Sequence, residues 1–234
     1  MGDTLEFSRF EALTFDCYGT LIDWERGILD ALRSILDAHE VDPADDRLLE
    51  SFARHEAPLE RGPYKPYREI LAGCLDGIAG EFGFQPSPRE RAGFAASVAD
   101  WPAFPDSVAA LRQLADQFRL GVLTNCDDDL FAASNRRLEV TFDWVVTAQQ
   151  ARSYKPSPRN FELLLARVGL PRQRILHVAQ SRYHDHVPAR ALGIATAWID
   201  RRRGRPGHGA TPEASARPDV TAPDLATFAR LATG

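Results

Sequence analysis

At 234 residues, with 44% hydrophobic and 26% charged residues, the chain has the composition of a soluble globular protein of one large or two small domains. A net charge of −5 speaks against a nucleic-acid binder, whose footprint is basic, and no apolar run approaches the roughly 18 residues of a membrane span. Cys17, Cys74 and Cys126 stand far apart without CxxC spacing, which argues against a disulfide framework or structural zinc and for a reducing, cytoplasmic setting. The N-terminal MGDTLEFSRFEAL is charged and lacks the apolar core of a signal peptide.

In chain order, Leu13-Thr14-Phe15 reads as a short buried strand that ends in Asp16, with Gly19 and Thr20 just beyond. A helical pattern follows, with Ile28, Leu32, Ile35 and Leu36 on one face, broken by VDPADD. A second helix carries Leu48, Leu49 and Phe52. A third carries Tyr67, Ile70, Leu71, Cys74, Leu75 and Ile78, and a fourth covers 88–99 with Pro88 in its first turn. No strand is predicted between 22 and 100, so this stretch reads as an inserted helical unit.

Alternation of strand and helix resumes after Trp101-Pro102. A helix capped by Asp106 or Ser107 precedes a strand at Leu120–Thr124, and Asp127, Asp128 and Asp129 suit the next helix N-terminus. Trp144–Thr147, Ile175–Ala179 and Thr196–Ile199 are further strands. A helix opened by Ser157-Pro158 ends near Gly169, and another spans Val187–Leu192. The basic, Gly/Pro-rich stretch 201–218 reads as a solvated loop, and 219–232 as a last strand and helix. The expected fold class is α/β: a doubly wound, Rossmann-like parallel sheet core (1–21 and 101–234) with an all-helical cap subdomain (22–100) inserted after the first strand.

In such sheets ligands bind beyond the carboxyl ends of the strands. Four segments put polar residues there: Asp16, then Thr124-Asn125, then Lys155, then AQSRYHD ending in Asp185. Taken singly, each has a plain structural explanation. Asp16 or Asp185 could cap a helix, Thr124-Asn125 could do the same, and Lys155 could be a surface lysine. Their joint order along the chain is what points to a site.

These segments, TFDCYGTL, LTN, YKP and HVAQSRYHD, resemble the four signature motifs of the haloacid dehalogenase superfamily, and the L-2-haloacid dehalogenase branch most closely. The resemblance covers essentially the whole chain. It implies that Asp16 is a nucleophile toward a halogen-bearing carbon, forming an ester, and that Lys155 pairs with it. Thr20 orients the carboxylate, and Asp185 positions or activates the hydrolytic water. It further implies that Thr124 binds the substrate carboxylate, that Asn125 helps hold the departing halide, and that a cap arginine completes the halide site. Arg54, Arg61 and Arg68 are available for that role, with Arg68 preferred and Arg54 next. The partner implied is a small-molecule carboxylate, in a protein for which a homodimer is an option.

Superfamily phosphatases carry a second Asp where this chain has Tyr18, and a further carboxylate near Ala179-Gln180. Hard Mg²⁺ wants those oxygens. The expectation is therefore a site with no metal and no cofactor, with Tyr18 against the substrate and Mg²⁺ needed only if the chain is a phosphatase instead. Two departures remain. Phe161 stands where the dehalogenases place Tyr, and AQSRYHD differs from SSNxxD, leaving Ser181 or Gln180 to take over substrate contacts. These departures also keep a non-catalytic, carboxylate-binding member in view. His177 reads as a hydrogen-bonded core histidine, and Trp24 as either packing or pocket wall. No P-loop, GxGxxG or GxSxG motif is present.

Overall fold

The computed structural model describes residues 5–205 and 207–234. Residues 1–4, part of the N-terminal stretch weighed above, and residue 206 of the 201–218 loop lie outside the described residues.

Among the described residues six strands form one sheet: β1 (Ala12–Phe15), β2 (Arg119–Thr124), β3 (Trp144–Thr147), β4 (Ile175–Ala179), β5 (Ala195–Ile199) and β6 (Val220–Ala222). All pairings are parallel, in the order β3-β2-β1-β4-β5-β6. Every residue of β1 and β4 is buried, which is why these strands read as continuous apolar runs and not as alternating ones.

The two faces of the sheet feed two apolar clusters. Leu13, Phe15, Val122, Leu176 and Val178 belong to one. Ala12, Leu123, Val146 and Ile175 belong to the other, with Phe161 and Leu164. The alternation follows from the period of two along a strand.

Helices α1 (Trp24–Ala38), α2 (Asp45–Arg61), α3 (Tyr67–Phe82) and α4 (Pro88–Ala96) lie between β1 and β2 with no strand among them. Ile22 bridges to Ala103, so the chain enters and leaves this helical stretch at one place. The remaining helices are α5 (Ser107–Ala115), α6 (Asp128–Leu138), α7 (Ala148–Ala151), α8 (Pro158–Val168), α9 (Val187–Ala191) and α10 (Leu225–Thr233). Among the described residues no helix is long and apolar enough to cross a membrane.

Three details differ from the sequence reading. The helix expected over 88–99 stops at Ala96 and tightens into a 3₁₀ turn, Ser97–Asp100. The helix at 187 is preceded by one π-helical turn, Arg182–His186. The 201–218 loop is not simply solvated. The Arg201 guanidinium pairs with Asp106 at 2.9 Å and also donates to the Thr20 carbonyl. Arg202 pairs with the nearly buried Glu25, and Ala210 is fully buried.

Strand order reverses between β1 and β4, since β2 and β3 extend to one side and β5 and β6 to the other. A crevice at the carboxyl ends of the strands is expected at such a switch point. Asp16 follows β1, Asn125 follows β2, Lys155 follows β3 and α7, and Asp185 follows β4.

Candidate active site

The turn after β1 fixes Asp16. The Cys17 carbonyl accepts the N–H groups of Thr20, Leu21 and Ile22 at 3.2, 2.7 and 3.0 Å. Closing the chain this tightly requires φ of +91° at Gly19, where a Cβ would also come within 2.9 Å of the Trp24 indole nitrogen. The turn returns Thr20 to the carboxylate, and its hydroxyl donates to Asp16 Oδ2 at 2.6 Å. The Gln180 N–H donates to the same hydroxyl at 2.9 Å, locking its orientation.

Lys155 is 1% exposed, and all three of its ammonium protons have acceptors: Asp16 Oδ1 at 2.8 Å, Asp185 Oδ1 at 2.7 Å and the Leu123 carbonyl at 2.9 Å. The Asn125 side chain clamps the Lys155 backbone from both ends, accepting from its N–H at 2.7 Å and donating to its carbonyl at 3.1 Å. The same amide donates to Glu60 at 3.2 Å. Asn125 therefore lines the chamber but spends its donors on protein.

Asp185 lies in the π-helical turn, which opens with Ser181 accepting the His184 N–H at 2.9 Å. Its Oδ1 receives Lys155 and also His177 Nε2 at 2.9 Å, while its buried Oδ2 has no partner. The expectation that Asp185 could cap the helix containing Pro188 is not met: His186 stands at the N-cap of α9, which has no side-chain cap bond.

Above these groups is a chamber of about 30 Å³ between the sheet edge and α2 and α3. Asp16, Asn125, Lys155, Ser181, His184 and Asp185 line it from the sheet side. Trp24, Glu56, Glu60 and Tyr67 line it from the helical side, and Thr211 reaches it from the 201–218 loop. A chamber this small admits a reactant of a few heavy atoms.

Burial alone would raise the Asp185 carboxyl, but the Lys155 ammonium and the His177 hydrogen bond outweigh it and hold Asp185 well below the usual carboxylate range. Burial pushes the Asp16 carboxyl up, with Lys155 pulling it back and Asp185 adding to the push. Burial would also lower the Lys155 ammonium, yet its two carboxylate partners raise it instead. On the helical side the opposing pulls, the Tyr67 hydrogen bond on Glu56 and Lys155 with the Asn125 hydrogen bond on Glu60, do not outweigh burial. Burial pushes Glu56 up to about 7, and burial together with the Glu56 charge pushes Glu60 well above the usual range, so Glu60 favours the protonated, hydrogen-donating form. Burial lowers His184 to about 4, which keeps it neutral near pH 7.

The family model for haloacid dehalogenase-like hydrolases matches residues 10–179, spanning β1 through β4 and all the site residues up to Ala179. The chain belongs to the haloacid dehalogenase-like hydrolases. Haloacetate dehalogenase H-2 of Moraxella sp. (strain B) is 26% identical over 95% of this chain and 98% of its own length. The (S)-2-haloacid dehalogenase of Xanthobacter autotrophicus is 26% identical over 82% of this chain and 75% of its own length. A solved structure of the L-2-haloacid dehalogenase from Xanthobacter autotrophicus superposes with a TM-score of 0.80 at 22% identity, over 96% of this chain and 99% of that one, a likeness of fold.

Within this family frame, several expected residues stand elsewhere. Neither preferred cap arginine reaches the chamber. Arg54 is 57% exposed and pairs with Glu81 at 2.9 Å, and Arg68 is 42% exposed and pairs with Asp129 at 2.8 Å. Arg61 lines a separate, larger cavity of about 370 Å³ beside the chamber. The reason is helical phase. Leu48, Phe52, Glu56 and Glu60 recur at i, i+4 and share the inward face of α2, which turns Arg54 and Arg61 away from it. Extending the apolar stripe of Leu48 and Phe52 by two turns was the signal that could have found Glu56 and Glu60 in the sequence.

Tyr18 presents its ring to the chamber, but its hydroxyl lies in the core, 3.0 Å from Ser134 Oγ and 3.4 Å from Cys126 Sγ. It has no hydroxyl to offer a substrate. Thr124 is fully buried, its hydroxyl has no partner, and it does not line the chamber. Gln180 also does not line it; the residue acts through its N–H on Thr20, and its side-chain oxygen lies 3.5 Å from Thr211. Ser181 does line the chamber. Glu56, Glu60, Tyr67, His184 and Thr211 are lining residues that sequence reading missed.

Proposed function

We propose that this chain is a metal-independent hydrolytic dehalogenase acting on a small 2-haloacid, haloacetate or 2-halopropionate, through an ester on Asp16. The observation that carries the reading is the placement of Lys155. Its ammonium bridges Asp16 and Asp185, so a fixed cation already sits between the two carboxylates that a magnesium ion would use. Tyr18 supplies no carboxylate where the superfamily phosphatases carry their second Asp. The donor set does not fit magnesium. Curated relatives named haloacetate and (S)-2-haloacid dehalogenases, covered over most of their length, support the same substrate class.

In this reading residues 22–100 form a cap over a core of 1–21 and 101–234. An Asp16 oxygen attacks C2 of the haloacid, the carbon–halogen bond breaks, and halide leaves. Water then attacks Asp16 Cγ while Asp185 Oδ2 takes its proton. The tetrahedral intermediate collapses, breaking the bond from Cγ to the ester oxygen. The departing alkoxide takes that proton from Asp185, giving a 2-hydroxyacid, and the water's second proton leaves the Asp16 carboxyl for solvent, restoring the carboxylate. Lys155 and backbone N–H groups near Cys17 and Tyr18 stabilise the developing oxyanion. The protonated carboxyl of Glu60 supplies a hydrogen bond on the helical side, where an arginine was expected. The buried, free cysteines suit a reducing cytoplasm.

The test is a panel of chloro-, bromo- and fluoro-acetates and -propionates with purified protein in EDTA, read as halide release. We expect release from at least one of them, abolished by Asp16→Asn. A chain that releases no halide from any member overturns the reading.

A further inference from the structure

His177 sits in the middle of β4 with no exposure at all, in a strand where any apolar side chain would bury more cheaply. Both of its ring nitrogens are nonetheless engaged. The register of β1 against β4 sets Thr14 directly opposite it, and Thr14 Oγ1 lies 2.9 Å from Nδ1. Nε2 lies 2.9 Å from Asp185 Oδ1. A carboxylate only accepts, so Nε2 carries the proton facing Asp185, and Nδ1 shares a hydrogen bond with the Thr14 hydroxyl. Phe161, standing where the resembling dehalogenases carry Tyr, closes the other side by packing edge-on against the imidazole, with ring centroids 5.1 Å apart at 74°. The polar contact of this region thus comes from the sheet and not from α8.

The consequence falls on Asp185. Its Oδ1 receives two donors, Lys155 and His177, from two directions, whereas its Oδ2 is buried without a partner on a residue that lines the chamber. With Lys155 alone, the carboxylate could turn and exchange its two oxygens. With both donors it cannot. We infer that His177 is a positioning residue for the hydrolytic half of the reaction. It pins Asp185 Oδ1 so that Oδ2 alone faces the water that cleaves the Asp16 ester. The inference rests on the ester reading above and assigns His177 no part in forming that ester.

Two polar substitutions separate this role from packing. The amide of His177→Gln places a donor near Nε2, whereas that of His177→Asn places one near Nδ1, toward Thr14, and leaves Asp185 Oδ1 with Lys155 alone. Rapid-quench halide release and whole-chain mass, with a haloacetate that the unmutated chain turns over, read the two half-reactions. For His177→Asn we expect a halide burst of about one per chain to persist. Steady-state turnover should fall about 10²-fold, the cost of a misplaced catalytic group, and a carboxymethyl ester should accumulate on Asp16. His177→Gln should recover most of the turnover without accumulating ester. The inference is overturned if burst and turnover fall together in His177→Asn, if its turnover is unchanged, or if Asn and Gln behave alike. Absence of halide release from the unmutated chain instead overturns the ester reading, and this inference with it.

Discussion

Lys155 Nζ lies 2.8 Å from Asp16 Oδ1, and the two side chains are 1% and 8% exposed, so neither charge has water to fall back on. Removing one partner of a buried pair strands the other, at a cost of about 3–5 kcal/mol. Here the loss also takes one of its two donors from Asp185. Lys155→Met should lower unfolding free energy by about that amount in urea titration and reduce halide release at least ~10²-fold. Retained stability together with retained turnover would refute the arrangement. An exposed pair such as Arg54–Glu81 contributes about 0–1 kcal/mol, so the contrast between the two sites is itself measurable.

The same comparison tests the arginine-free helical side. Arg54→Ala and Arg68→Ala should each leave halide release within about twofold of the parent, because both guanidinium groups face surface carboxylates. A large rise in KM for either variant would show that α2 or α3 turns an arginine into the chamber when substrate binds.

Glu56 should make the fold pH-sensitive. Its carboxyl accepts from the Tyr67 hydroxyl at 2.7 Å, and burial raises it from 4.5 to about 7. The folded state therefore prefers the neutral acid. Its contribution is fully present below 4.5 and is lost as the pH rises through about 7. His184 and His186 act in the opposite sense. Burial lowers each from 6.5 to about 4, so the folded state holds them neutral and stability falls as the pH drops from 6.5 toward 4. Thermal denaturation of Glu56→Gln beside the parent should show a gap in favour of Gln that opens between pH 5 and pH 8, on the order of 1–3 kcal/mol. An equal gap at both pH values would mean that Glu56 is not held neutral.

Much of this site was legible because its parts are local. Asp16, Lys155 and Asp185 each follow an apolar run, and in a parallel sheet the ends of such runs converge at one rim. Thr20 was legible because a tight Gly turn four residues long can only return it to Asp16. The helical side was not legible in the same way. Arg54, Glu56, Glu60 and Arg61 lie within eight residues of each other on α2, and composition alone favours a cation facing an anionic substrate. Which of them faces inward depends on the rotation of α2, and that is set by packing Leu48 and Phe52 into the core. Tyr18 shows the converse. Its place beside Asp16 was plain, but the direction of its hydroxyl was decided by Ser134 and Cys126, more than a hundred residues away.

The chain on its own determined a parallel α/β sheet, the helical insertion after the first strand, and the places of Asp16, Lys155 and Asp185 beyond the strand ends. These follow from hydrophobic period and from residues adjacent to it. Only the tertiary structure decided that Lys155 spends its three protons on Asp16, Asp185 and Leu123, that His177 holds Asp185 from the sheet, and that buried carboxyls face the chamber in place of arginine. A buried polar group must find its partner wherever the fold brings one, and for these residues the partner lies on another element, at a distance along the chain that no local pattern encodes.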